Sequence, residues 1–359
     1  MSWACLLGAG ALAGGCSLES ALNADAMTES AEGGATEADA TVGADASGSV
    51  VAACDGKLVR VMTFNVQTVD TVGSPSHDAL AAVLGRTAPD IACLQEVQFD
   101  EDDSLAALVT EAGYAYSVQA NQSPAIGGDH TNACIANVPL TVVGSYTGED
   151  LSADPTANDV GRDIFAVRAF VGAADGTECN LGVIAVHLKS GQETIDLFRR
   201  QVEVIRLTQA VAAYRQAHPG DPIVVLGDFN ETLDEPALGT SLALPPDLPS
   251  SYRLGSDIEV PVSYQPFATL QGAGFNLADP TQEDGPSSFA TWNDSRRLDY
   301  VWYAGPQLAA SEVYNSCRDD GVDEPPTGDG IVKVGTPLEC GVSETASDHF
   351  PVVADLSLP

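Results

Sequence analysis

Short runs of β-branched and other apolar residues, separated by turn-rich stretches, dominate the chain beyond residue 57. Residues 58–66, 91–97, 114–118, 133–136, 164–171, 181–187, 223–226, 297–303 and 351–356 read as strands, because each run is short and most are bounded by turn-forming residues. Two stretches carry helical spacing instead. Residues 78–86 are Ala/Leu-rich. In residues 193–217, Ile195, Phe198, Val202, Ile205 and Val211 approximate one apolar stripe, which ends at His218-Pro219-Gly220. Many strands with few substantial helices predict an α+β fold: a two-sheet β-sandwich of mostly antiparallel and mixed strands, flanked by helices. Residues 231–263 and 318–340 show no periodicity and are expected to be long surface loops.

The beginning of the chain departs from this pattern. Residues 3–15 are apolar and small, too few to span a bilayer, and end in Leu12-Ala13-Gly14-Gly15-Cys16. This resembles a bacterial lipoprotein cleavage site, with Cys16 as the lipidated residue of an export signal over 1–16. No Lys or Arg precedes the run, so an ordinary cleaved signal or a misplaced start codon stays open. Residues 17–53 are mostly Ala, Gly, Ser, Thr, Asp and Glu, and bury too little apolar surface to offset their ordering entropy. They read as a disordered tether, leaving a folded domain over 54–359.

Charge narrows the partners. The chain has 51 acidic and 15 basic residues; residues 1–53 hold seven acids and no Lys or Arg, so the net charge of −36 leaves −29 beyond them. Such a surface repels a phosphate backbone, which disfavours nucleic acid without excluding it. The sequence-local basic clusters, Arg199-Arg200 and Arg296-Arg297, are the candidates for a phosphate-facing strip. Beyond the signal lie Cys54, Cys93, Cys134, Cys179, Cys317 and Cys340, in no close-set zinc pattern. An even number in an exported chain favours disulfides. Cys317 and Cys340 flank one loop and are the expected pair, whereas Cys93 sits in an apolar run and reads as a free core thiol.

Chemistry appears where the strands stop. Apolar runs end in Asn65, in Gln95-Glu96, in His187 and in Gly227-Asp228-Phe229-Asn230; Arg297-Leu298-Asp299 and Ser347-Asp348-His349 each open a run. If the last two strands run opposite to the others, all six groups share one rim. Each residue alone has a plain explanation, since Asp and Asn finish strands and turns routinely. Together, acid oxygens suit a hard divalent cation, a carboxylate can orient or deprotonate water, and His and Asn can hold phosphate oxygens.

The strings Thr63-Phe64-Asn65-Val66, Leu94-Gln95-Glu96-Val97, His187-Leu188-Lys189-Ser190, Gly227-Asp228-Phe229-Asn230, Arg297-Leu298-Asp299-Tyr300 and Ser347-Asp348-His349 resemble, in order and spacing, the endonuclease/exonuclease/phosphatase superfamily of deoxyribonuclease I-like fold, as an exported bacterial member. The resemblance covers residues 58–356. It implies Glu96 as principal metal ligand, assisted by Asn65 and Asp348, and Mg²⁺ as the cation, with Mn²⁺ or Ca²⁺ as alternatives. It implies Asp228 as the group that aligns or deprotonates water, Asn230 on a phosphate oxygen, His349 on the scissile phosphate with Asp299 orienting it, and His187 on phosphate or the leaving group. Arg162 and Lys189 are further candidates for the phosphate. Gln67 stands where abasic-site endonucleases carry an acid, which argues against that subclass.

The implied reaction is divalent-metal-dependent hydrolysis of phosphoester bonds by direct attack of water. An exported nuclease acting on phosphodiesters is the first reading. A phosphoesterase on lipid or small-molecule head groups, of sphingomyelinase or inositol-phosphate phosphatase type, is the second, and a non-catalytic binding module the third. The membrane-contacting hairpin that a sphingomyelinase needs has one candidate, residues 241–266, with Leu242, Leu244, Leu248, Tyr252 and Tyr264. The expected state is a monomer that meets a membrane only through a lipid anchor.

Overall fold

A computed structural model of the chain describes residues 54, 56–98, 103–121, 130–174, 177–283, 289–293, 295–321 and 330–359. The export signal with Cys16, and the tether over 17–53, lie outside the described residues. In chain order the elements begin β1 (Leu58–Asn65), α1 (Pro75–Thr87), β2 (Ile91–Gln98), α2 (Ser104–Glu111), β3 (Tyr116–Gln119), β4 (His130–Ala136) and β5 (Leu140–Tyr146). Then follow α3 (Gly148–Leu151), β6 (Ile164–Ala174), β7 (Thr177–His187), α4 (Thr194–Ala217), β8 (Ile223–Asp228), β9 (Ser241–Leu242) and β10 (Val262–Ser263). The chain closes with α5 (Pro266–Gly272), β11 (Asn276–Leu277), β12 (Asp299–Ala304), β13 (Gln307–Val313), α6 (Val342–Ala346) and β14 (Val352–Ser357).

Two six-stranded sheets form, in the orders β13-β14-β1-β2-β4-β3 and β11-β12-β8-β7-β6-β5. Each has one parallel pair, β1 with β2 and β7 with β8; the other pairings are antiparallel. Strand alternation sorts the side chains. Val59, Val61, Ile91, Val183, Ala185, Val224, Leu226 and Val301 fill one buried cluster shared by both sheets. Met62, Phe64 and Leu94 pack instead with Leu80, Val83 and Leu84 of α1, and Ile184, Val225 and Trp302 with Val204, Leu207 and Val211 of α4. This is the expected sandwich with helices outside.

The helix α4 carries a second buried face. Leu197, Phe198 and Val202 pack against Leu242, Tyr252, Ile258, Val262 and Tyr264. Residues 231–263 are therefore not the expected surface loop: they hold the β9–β10 pair and cover α4. The same burial removes the membrane hairpin, since Leu242, Tyr252 and Tyr264 are core residues and, of the five named, Leu244 alone is exposed. In residues 318–340, the stretch 322–329 lies outside the described residues, while Ile331 and Lys333 are buried.

Three disulfides join Cys54 to Cys179, Cys93 to Cys134, and Cys317 to Cys340. The last is the expected pair. Cys93 is not a free thiol: β2 and β4 are in a register that sets Cys93 directly opposite Cys134, with the Cα atoms 4.0 Å apart, the close spacing of a non-hydrogen-bonded antiparallel pair. Disulfides fit an extracellular or periplasmic environment. Among the described residues no helix is long and apolar enough to cross a membrane.

Candidate active site

Strand parity explains why the polar strand ends meet. Val61, Ala185, Leu226 and Val301 face between the sheets. Positions an even number of residues away on the same strands are Asn65, His187, Asp228 and Asp299, so these four also turn inward. β12 runs antiparallel to β8, and β14 antiparallel to β1, with Asp299 paired to Asp228. The sequence condition for a common rim is met.

Glu96 needs more than alternation. By parity it would follow Ala92 and Leu94 toward the helices. A register shift between Leu94 and Val97 and a left-handed backbone at Glu96 (φ 62°) break the alternation. Such bulges redirect side chains next to active sites, and here the Glu96 carboxylate reaches the rim, 24% exposed. Asn230 has a similar backbone (φ 52°). Two non-glycine residues held left-handed at one site mark a locally costly conformation that the surroundings enforce.

The side chains form one connected cluster. Asn65 Nδ2 donates to Glu96 Oε1 at 3.1 Å and to Asp228 Oδ2 at 3.0 Å. Its Oδ1 accepts from the Gln67 backbone N–H. Asp228 Oδ1 accepts from the Asn230 N–H at 2.8 Å. His187 Nε2 lies 3.5 Å from Asp228 Oδ2 and 3.7 Å from Glu96 Oε1. His349 Nδ1 is 2.8 Å from Asp299 Oδ2, and its Nε2 is 4.0 Å from Asp228 Oδ2. Ser347 Oγ donates to the Asn65 carbonyl and accepts from the His349 N–H, tying the end of β1 to the approach to β14.

Burial and neighbouring charges set the proton affinities. Burial, then the Asp299 charge, pushes Asp228 up to about 7 against the opposing His349 and its hydrogen bonds. Burial opposes charge on His349, but Asp299 and Asp228 outweigh it and raise the imidazole to about 10. His187 moves the other way, well below its ordinary value, through burial and the cations Arg162 and His349. At neutral pH the site therefore pairs a cationic His349 with a neutral His187 and a carboxylate poised to accept a proton.

The other sequence candidates differ in placement. Asn230 Nδ2 donates to the Leu188 carbonyl and keeps a second N–H. Arg162 Nε is buried without a hydrogen-bond partner, and its charge acts on His187, as a phosphate-facing group would. The Lys189 ammonium is paired to Asp196 at 3.0 Å. Asp348 is exposed and accepts from Trp292 Nε1 at 3.2 Å, with no direct bond to Glu96 or Asn65. Arg199 and Arg200 are buried, and Arg200 is paired to Glu231, while Arg297 is buried and paired to Asp279, so they make no phosphate strip.

Supporting residues escaped the sequence reading. Buried Thr291 accepts at Oγ1 from the Leu298 and Asp299 N–H groups and fixes the Asp299 turn. Buried Glu203 of α4 accepts from the Gly161 and Lys189 N–H groups, holding the loops that carry Arg162 and follow His187. Trp292 pairs with His349 in an isolated bridge. Thr, Glu and Trp in these positions carry no sequence signal, because their partners are set by how the loops fold back on one another and not by a residue pattern. Beside the cluster, a cleft of about 700 Å³ is lined by residues including Thr232, Leu233, Phe289, Arg296, Arg297 and Tyr300, near neighbours in sequence of Asn230 and Asp299.

The residues fit a divalent cation. The partly exposed Glu96 carboxylate, 24% exposed, borders the buried acids Asp228 and Asp299, and Asp299 Oδ1 is buried without a partner, so oxygen donors for a hard cation converge here while His349 stays bonded to Asp299. This crowding of acid oxygens calls for a positive counter-charge.

A match to the Endonuclease/Exonuclease/phosphatase family runs over residues 62–349 and so takes in every member of the strand-end cluster. The chain belongs to this family. Family membership makes the reaction class hydrolysis at phosphoester bonds, and the family usually employs a divalent metal. Truncated TDP2 from Caenorhabditis elegans shares the fold with a TM-score of 0.50 at 16% identity, over 84% of this chain and 98% of that one. ANGEL2, a 2′,3′-cyclic phosphatase solved with adenosine-2′,3′-vanadate, gives 0.51 at 14% identity, over 85% and 97%. Both are likenesses of fold. No curated protein matches the chain by sequence.

Proposed function

We propose that this chain is an exported, divalent-metal-dependent phosphodiesterase with nucleic acid as its first substrate class. The observation that carries the reading is the Asp228–His349–Asp299 cluster bordered by Glu96 and Asn65. Glu96 would hold the metal, which supplies charge neutralisation at the phosphoryl oxygens. Asn65, as oriented, donates to Glu96 and Asp228, so it holds the two carboxylates in register; a turned amide would let its carbonyl join Glu96. Asp228 accepts a proton from the attacking water. His349, kept cationic by Asp299, donates through Nε2 to the phosphate and offsets its developing charge. Neutral His187, Arg162 and the spare N–H of Asn230 hold the remaining phosphate oxygens.

A second reading, a smaller phosphodiester such as a head group, draws support from two observations. Arg200 and Arg297, one from each arginine pair, are spent on internal ion pairs, and the cleft beside the cluster is of ligand size, with Phe289 48% exposed. A panel of plasmid DNA, RNA, bis-p-nitrophenyl phosphate, sphingomyelin and inositol phosphates, each with Mg²⁺, Mn²⁺ and Ca²⁺, separates them. Nicking of plasmid, or cleavage of RNA, lost with EDTA and in Asp228→Ala supports the nuclease. Head-group turnover without action on either nucleic acid sinks it.

A further inference from the structure

Outside the catalytic cluster, one histidine is buried with nothing to bond. His77, in the first turn of α1, is 1% exposed, and both ring nitrogens lack a hydrogen-bond partner. A buried imidazole left this way forfeits the hydrogen bonds it made to water in the unfolded chain. Nδ1 is aimed at two carboxylates: it lies 3.4 Å from Glu111 Oε2, at the end of α2, and 3.8 Å from Asp78 Oδ1. Neither contact makes a hydrogen bond. One ligand atom from each of the three residues lies within 4.8 Å of the others.

We propose that His77, Asp78 and Glu111 form a second metal site, for a zinc-class divalent ion, that fastens the end of α2 to the first turn of α1. The donor set is one imidazole nitrogen and two carboxylate oxygens. Zinc takes both imidazole nitrogen and carboxylate oxygen, and holds water in the fourth position where the protein supplies three ligands; the imidazole selects against Mg²⁺ and Ca²⁺, which take oxygen. The two acids are exposed, so their side chains have freedom to close on an ion while the buried imidazole stays fixed. Glu111 also stands at the negative end of a helix with no basic residue in its last turn, and a cation there relieves that repulsion. The ion enters from the solvent side through the two carboxylates.

The test counts zinc bound by the full chain in excess Mg²⁺, using equilibrium dialysis and elemental analysis, alongside thermal melting. Wild type and the active-site variant Asp228→Asn should both retain one zinc that His77→Gln and Glu111→Gln lose, with affinity down at least about tenfold. Zinc should raise the Tm of wild type and leave Glu111→Gln unmoved. Glu111 is exposed, so its variant decides the matter even if His77→Gln fails to fold. Equal zinc stoichiometry in wild type and Glu111→Gln, or loss of the zinc only in Asp228→Asn, overturns the proposal.

Discussion

Asp228 is the residue on which the chemistry and the stability of this chain pull apart. Its carboxyl is raised to about 7 and the His349 imidazole to about 10. As general base Asp228 must be ionised, and His349 must be protonated, so kcat/KM should rise through an acid limb near pH 7 and fall through an alkaline limb near pH 10. Asp299→Asn removes the charge that sustains the imidazolium and should move the alkaline limb to lower pH; a limb that stays in place removes Asp299 from that role. The stability sign follows from linkage. A folded carboxyl that binds its proton more tightly than the unfolded one loses stability as pH rises from about 4 to about 7, and the loss is complete above that range. Asp228→Asn should therefore be inactive yet melt higher than wild type at pH 8. A lower Tm there would mean the carboxylate is compensated in the folded state.

At the scale of elements, the site depends on close approach of strands that sequence patterning only partly reveals. The strand ends were legible because inward-facing apolar residues two apart announce which polar residue comes next on the same face. Asn65, His187, Asp228 and Asp299 all follow that rule. Glu96 breaks it, and its bulge left no mark in the sequence. The strands β5 and β13 went unread because each is a sheet edge, partly exposed along much of its length, so neighbouring backbone rather than a side-chain pattern defines it. The 231–263 segment looked aperiodic because its buried residues pack on the second face of α4, not on either six-stranded sheet. Gly227 shows the tightest constraint: a Cβ there would stand 2.0 Å from the Val186 carbonyl, at φ 151°. Gly227→Ala must push β7 and β8 apart beside both His187 and Asp228. It should cost about 1–3 kcal/mol of stability by denaturant melting and reduce kcat more than KM. Wild-type kcat in this variant would show that the strand spacing does not set the site.

Across the whole molecule, three cross-links and a strong negative charge frame the function. Cys54–Cys179 ties the start of the domain to β7 across 125 residues. A loop of that length makes the disulfide worth about 5 kcal/mol in the chain-entropy account, and Cys54→Ser with Cys179→Ser should lower the denaturation free energy by that order. An unchanged value would show that the folded termini hold without it. The cysteine count pointed to disulfides, but the Cys93–Cys134 pair depended on a strand register that composition does not contain. Net charge of −36 predicts that nucleic-acid turnover, if it occurs, will improve with added divalent salt that screens repulsion, beyond the level that saturates a small diester. Equal salt profiles for both substrates would remove the acidic surface from the account.

The most direct test of the central claim is kcat/KM for bis-p-nitrophenyl phosphate at pH 8 with Mg²⁺, in wild type and Asp228→Asn. The account predicts a fall of about 10³-fold in a variant that remains folded. Activity within tenfold of wild type would contradict it.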